Sequence, residues 1–244
     1  MPEGPSILIL REAVGKFKGR TILGAEGNTR RIDPAVLDYE VVTDFKSWGK
    51  HFLICFAGFT LRIHFLLYGS YLVDAAKDAP LRLGLYFSNG TIRFYACSLQ
   101  VITAPLDEIY DWSADVLSPC WDPAAAMRKL SERPEMMVCD ALLDQELFAG
   151  CGNIIKNEVL FRIGVHPESL LGKMPAEKRS ALVREAVVYS QDFLAWKKAF
   201  VLRKHYQVYR QSVCPRDAGA VIKRKLGKYG RVSFYCPRCQ RLYV

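Results

Sequence analysis

Cys214, Asp217, Cys236 and Cys239 stand near the end of a 244-residue chain at spacings that suit a metal ion. Cys236-x-x-Cys239 is a knuckle pair, with 21 residues between Cys214 and Cys236. A second knuckle would put its other ligand three positions after Cys214, where the residue is Asp217. Three thiolates and a carboxylate fit a tetrahedral zinc ion, and with no position left open to substrate that zinc would be structural. The alternative is a ribbon without metal, held by the packing of Phe234, Tyr235 and Tyr243. The segment is also strongly basic. From Lys197 to Val244 there are 13 lysines and arginines and one acid, Asp217, for +12, so the whole-chain charge of +9 leaves −3 for the first 196 residues. Arg216, Lys223, Arg224, Lys225, Lys228 and Arg231 crowd between the cysteines. Such a loop suits a polyanion, of which DNA is the natural example.

Two further groupings could do chemistry. Gly150-Cys151-Gly152-Asn153 opens a helical pattern. Its glycines, Gly152 among them, let the backbone approach an anion that the helix N-terminus attracts, and neutral Asn153 adds no competing negative charge. At the other end of the chain Pro2 stands beside Glu3. Once Met1 is removed, Pro2 presents a secondary amine, which condenses with an aldehyde to a cationic iminium. That electron sink promotes elimination at the neighbouring carbon. The opened deoxyribose of an abasic nucleotide is such an aldehyde.

The elements that must position these residues fall into two styles. Leu10, Ala13, Val14 and Phe17 share a helical face over 10–17, with Gly19 suited to a C-terminal cap. From about Val41 the period becomes two. Phe52, Ile54 and Phe56 alternate, then Phe59, Leu61, Ile63 and Phe65, with Ala57-Gly58 at the turn. Leu83, Leu85 and Phe87 then lead through Asn89-Gly90 to Ile92, Phe94 and Ala96, which predicts a hairpin with a two-residue type I′ turn. Residues 1–105 therefore read as a helix on an antiparallel sandwich or barrel. After Pro105 the pattern turns helical. Asp122-Pro123 starts a helix through Leu130, a second covers Ala141 to Phe148, and Asn153 caps a third through Arg162. A long helix follows from Pro175 with a core stripe of Leu182, Ala186, Tyr189, Phe193, Trp196 and Phe200. The break between the two styles falls between Ala104 and Pro119. The N-terminus has no basic and apolar signal pattern, and no apolar run approaches the ~20 residues of a membrane span. Cys55, Cys97, Cys120, Cys139 and Cys151 lie scattered in apolar surroundings, as expected of buried thiols in a reducing compartment. The chain is expected to be a soluble intracellular protein with no membrane contact.

Three stretches in order carry a resemblance that spans the chain: Pro2-Glu3-Gly4-Pro5, the run from Asp144 through Gly150-Cys151-Gly152-Asn153 to Phe161, and Gly230-Arg231 through Cys236-Pro237-Arg238-Cys239-Gln240. The chain resembles the formamidopyrimidine-DNA glycosylase and endonuclease VIII family of DNA repair enzymes. The resemblance implies an α+β fold: an N-terminal antiparallel β-sandwich catalytic domain with a flanking helix at 1–112, a helix–two-turn–helix DNA-binding domain at 118–208, and a zinc-ribbon-like DNA-binding hairpin at 209–244. It also implies a monomer acting on damaged double-stranded DNA in the cytoplasm, at the nucleoid in a bacterium. The implied activity is that of a bifunctional glycosylase/AP lyase, which removes an oxidised base and nicks the abasic strand by β- or β/δ-elimination. Pro2 would attack C1′, with Glu3 as its proton partner, and Lys50 of Trp48-Gly49-Lys50-His51 would join this catalytic set by holding a nearby phosphate. Asn153 and Arg231 would clamp phosphates, and Leu67 and Tyr68 lie where the family fills the hole left by a flipped base. The chain departs from the family at Ser6, where the family usually has Glu, and at Asp217, where it normally has Cys. Ser6, together with a retained Met1, keeps open a non-catalytic protein that binds damaged or abasic DNA on the same scaffold.

Overall fold

The computed structural model describes residues 2–244 and divides them into two compact units, one ending at Tyr110 and the other beginning at Asp111. Met1, and the state of the amine that follows it, lies outside the described residues.

The first unit opens with helix α1 at Gly4–Ala13, followed by a short 3-10 turn at Gly15–Phe17. The helix thus starts well before the 10–17 stretch read from its apolar face. Pro5 in the first turn has the fixed backbone angle a helix start needs, and buried Ile7 and Leu10 extend the face backwards. Strands β1 (Gly24–Glu26), β2 (Asp44–Trp48), β3 (His51–Cys55), β4 (Thr60–His64), β5 (Ser70–Val73), β6 (Leu81–Phe87), β7 (Gly90–Tyr95) and β8 (Ser98–Ile102) follow. They form two antiparallel four-stranded sheets, ordered β1-β6-β7-β5 and β2-β3-β4-β8. Phe45, Phe52, Ile54, Leu61 and Ile63 from one sheet meet Leu83, Leu85, Ile92 and Phe94 from the other in a single core, which Ile7, Leu10, Val14 and Phe17 share. The β6–β7 turn is shifted by one residue from expectation. Phe87 pairs with Gly90, so Ser88 and Asn89 form the loop. Gly90, not Asn89, takes the positive φ, so the turn is not type I′.

The second unit is helical and closes with a hairpin. The first unit ends with α2 (Leu106–Ile109), and the second contains α3 (Pro123–Ser131), α4 (Val138–Ala141), α5 (Asn153–Ile163), α6 (Ala176–Lys198), β9 (Ile222–Leu226) and β10 (Arg231–Tyr235). Asp122 caps α3 as expected, its carboxylate accepting from Ala124 and Ala125 N–H at 2.8 and 3.1 Å. The helix expected over 141–148 is absent, because polar side chains take the backbone groups a helix would use. Asp144 accepts from Glu146 N–H, while Gln145 bonds Leu143, Gly150 and Cys151. The core stripe of α6 ends at Trp196: Phe200 lies past the helix, with φ +60° and 95% exposure. Among the described residues no helix is long and apolar enough to cross a membrane.

Candidate nucleic-acid interface and metal centre

Glu3 precedes α1 in extended backbone, and its carbonyl accepts Ser6 N–H at 2.8 Å and Ile7 N–H at 3.4 Å. Glu3 is buried and Pro2 half-buried, so these two residues are set into the unit. Ser6 is buried in the same turn. Helix α1 packs on β2 and β3, the strands whose connection carries Lys50. Trp48 pairs with His51 across that connection, and Gly49 at φ +52° makes the reversal possible in two residues. His51 is held neutral: burial, Arg62, His64 and Lys50 together lower its pKa to about 3. Its Nδ1 lies 3.2 Å from the Tyr110 hydroxyl. The positive charge here therefore belongs to Lys50 and Arg62, while the imidazoles act as neutral hydrogen-bonding groups.

Leu67 and Tyr68 belong to the turn after β4, closed by Gly69 N–H to Phe65 C=O at 2.8 Å. They are 46% and 89% exposed, with Leu66 beside them at 49%. This settles Leu67 as a surface residue. Three apolar side chains on a narrow turn can enter a stack of flat rings but gain nothing from water.

In the second unit, α5 sits against the β9–β10 hairpin. Gly150 at φ +98° turns the chain into it, and buried Gly152 is the residue that caps it. Asn153 is the first helical residue and makes no cap bond of its own. Its Nδ2 instead donates to Val232 C=O at 3.0 Å. The expected capping role is therefore replaced by a bond to the hairpin. Arg231 begins β10 directly after Gly230, and is half-buried. Asn153, Tyr209, Arg210, Lys223 and Arg231 line an open groove of about 870 Å³ whose remaining lining contains no acid. Three cations and a primary amide with no opposing carboxylate define an anion site.

The metal residues converge as their spacing implied. One donor atom from each of Cys214, Asp217, Cys236 and Cys239 lies within 4.8 Å of every other. The Cys214 and Cys239 sulfurs are 3.8 Å apart, and the Cys236 sulfur is 3.4 and 3.6 Å from the two Asp217 oxygens. A tetrahedral zinc with Zn–S of about 2.3 Å and Zn–O of about 2.1 Å needs edges of about 3.8 and 3.6 Å. The donor set fits the ion. Gly219 N–H and the Arg238 guanidinium, each 2.9 Å from a carboxylate oxygen, orient Asp217, and Gly219 heads the causes that hold its carboxyl well below the usual range. Phe161, Val208 and Phe234 form a small apolar core with Cys214 and Cys236, so packing and metal ligation reinforce each other here.

Sequence reading missed the residues that fix this interface. Nine of the eleven α5 residues are buried, including Lys156, Asn157 and Glu158. Lys156 Nζ donates to Ser233 Oγ at 2.8 Å, and Asn157 Oδ1 accepts Phe234 N–H at 2.7 Å. The Glu158 carboxylate takes three successive backbone N–H groups, from Gln207, Val208 and Tyr209, at 2.7 to 3.1 Å. A Lys-Asn-Glu run ordinarily marks a solvated helix face. The one available signal was that apolar residues flank it on every side.

Residues 114–198 match the family model described as the formamidopyrimidine-DNA glycosylase H2TH domain. Endonuclease 8-like 2 of Bos taurus is 28% identical over 98% of this chain and 96% of its own length. Endonuclease 8-like 2 of Homo sapiens is 36% identical over 75% of this chain, which spans 58% of that relative. The crystal structure of Lactococcus lactis formamidopyrimidine DNA glycosylase bound non-covalently to DNA with an abasic site superposes with a TM-score of 0.85. It is 21% identical and covers 98% of this chain and 99% of its own, a likeness of fold. A β-sandwich unit joined to a helical unit that ends in a four-ligand hairpin defines the helix–two-turn–helix class of DNA glycosylase folds. The chain belongs to the formamidopyrimidine-DNA glycosylase and endonuclease VIII family.

Proposed function

We propose that this protein is a bifunctional DNA glycosylase/AP lyase of base excision repair, acting on oxidised bases in duplex DNA. The observation that carries the reading is the pairing of an acid-free cationic groove at Asn153 and Arg231 with a held Pro2-Glu3 terminus in a chain of this family. The Pro2 nitrogen attacks C1′ of the damaged nucleotide. The base leaves, the C1′–O4′ bond then opens with a proton going to O4′, and the resulting iminium makes the C2′ proton acidic enough for elimination of the 3′ phosphate. Buried Glu3 is the adjacent proton carrier. Lys50, Asn153 and Arg231 hold phosphates, and Leu67 and Tyr68 fill the space the extruded nucleotide leaves. Zinc held by Cys214, Asp217, Cys236 and Cys239 supplies rigidity and no reaction step. We place the protein in a reducing, cytoplasmic setting as a monomer; among the described residues no cysteine pairs in a disulfide.

The test is borohydride trapping on an abasic duplex with protein whose N-terminus is verified as Pro2. A stable adduct is expected, sharply reduced by Pro2→Gly or by one added N-terminal residue. Equal adduct from the extended protein would move the nucleophile to a lysine. Ser6, buried where the family usually carries a carboxylate, is the observation behind a second reading, a non-catalytic binder of abasic DNA. Tight duplex binding with no adduct is the result that reading requires.

A further inference from the structure

Asp140 on α4 is a carboxylate that nothing above has used. It is only 5% exposed. Its Oδ2 accepts Lys228 N–H at 3.0 Å, across 88 positions of sequence, while its Oδ1 is buried with no hydrogen-bond partner. The residue before, Gly227, is in the left-handed region at φ +69°, and a Cβ placed there would strike both carboxylate oxygens. The chain therefore presses its bare backbone onto Asp140 at the turn that joins β9 to β10. Gly230 N–H closes this turn onto Gly227 C=O at 3.1 Å, and Arg231 follows at once. The other polar ties between α5 and the hairpin, from Asn153, Lys156 and Asn157, reach β10 residues Val232 to Phe234. Among the described residues Asp140 holds the turn itself. Burial shields the bond from Lys228 N–H to Asp140 Oδ2 from competition by water.

We propose that Asp140 is a positioning residue for DNA binding: by clamping the Gly227–Lys228 backbone it fixes the hairpin turn, and through it the place of Arg231 in the groove. This rests on the reading that Arg231 contacts phosphate. The clamp is separate from the metal cluster, so losing it leaves zinc in place and acts on DNA alone.

Full-length protein is compared with Asp140→Ala, Asp140→Asn, Arg231→Ala and the Asp140→Ala/Arg231→Ala double variant, on a duplex carrying a tetrahydrofuran abasic analogue. Asp140→Ala is expected to retain its zinc, to exchange the Lys228 amide hydrogen faster, and to bind about fivefold to tenfold more weakly. Its log–log salt slope should fall by about one unit. In the Arg231→Ala background the further loss from Asp140→Ala should vanish, because both changes remove one contact. Asp140→Asn, which keeps an oxygen for Lys228 N–H, should recover most of the binding. It also carries the test if the alanine variant does not fold: Asn binding as weakly as Arg231→Ala with slow Lys228 exchange overturns the proposal. Fully additive losses, or an unchanged Lys228 exchange rate in Asp140→Ala, also overturn it. Arg231→Ala binding like the parent would instead sink the phosphate role of Arg231.

Discussion

Asp217 holds two obligations with one carboxylate. It completes a four-donor cluster with the three cysteines, and it anchors Gly219 N–H and Arg238. Asp217→Cys is expected to tighten zinc, since thiolate is the usual partner in such sites, and Asp217→Ala to release it at a lower chelator concentration. Metal analysis during chelator titration reads both; equal retention by the alanine variant would make Asp217 a surface charge. Glu3→Gln should lose base removal while keeping Schiff-base formation on a ready-made abasic site, because an existing aldehyde needs less acid help. Single-turnover assays on the two substrates separate these steps. At this scale the sequence was most readable where chemistry demands a spacing, as with Cys214, Asp217, Cys236 and Cys239. It was least readable at Lys156, Glu158 and Asp140, whose polar partners lie 49 to 88 positions away in the sequence.

Among elements, the β2–β3 hairpin and α5 show opposite uses of charge. His51 at the start of β3 is packed neutral, with its pKa lowered to about 3 by burial and then by Arg62, His64 and Lys50. The unfolded chain takes up that proton near pH 6.5, whereas the folded one refuses it until about pH 3. The first unit should therefore lose stability as pH falls across that window, by up to about 1.4 kcal/mol per pH unit. Denaturant unfolding at pH 7.5 and pH 5, repeated with His51→Gln, checks this: the variant should show the shallower loss. Helix α5 instead buries a carboxyl group, whose pKa burial raises, and feeds it three backbone donors. Glu158→Ala leaves three N–H groups without their acceptor and should cost about 2–4 kcal/mol. Element types followed from periodicity, as the two sheets show. Boundaries did not. The helix expected at 141–148 failed because Asp144 and Gln145 bond the backbone locally, and a hydrophobicity pattern carries no trace of that competition.

For the whole molecule, charge is partitioned rather than spread. The last 48 residues hold +12 of a total of +9, and α5, the groove and the metal cluster lie in the unit that contains them. Duplex binding should accordingly fall steeply with salt, and Lys223→Ala and Arg231→Ala should each lower the log–log slope by about one unit. Arg231→Ala should also weaken binding by roughly 1.5–3 kcal/mol, the range for a charged hydrogen bond. Fluorescence anisotropy across a salt series measures both; an unchanged slope would move the binding surface to the first unit.

The hairpin is gripped chiefly by its main chain: Val232 C=O, Phe234 N–H and Lys228 N–H are the atoms the helices hold. On β9, Ile222, Lys223, Arg224 and Lys225 are all exposed, and only Leu226 is buried. That strand has almost no packing debt to its own side chains. Its row of residues can be rewritten without loosening the mount, as a tool holder accepts a different bit. Substitutions on β9 should therefore alter DNA binding with little effect on folding, because the scaffold and the DNA-facing surface are encoded by different atoms.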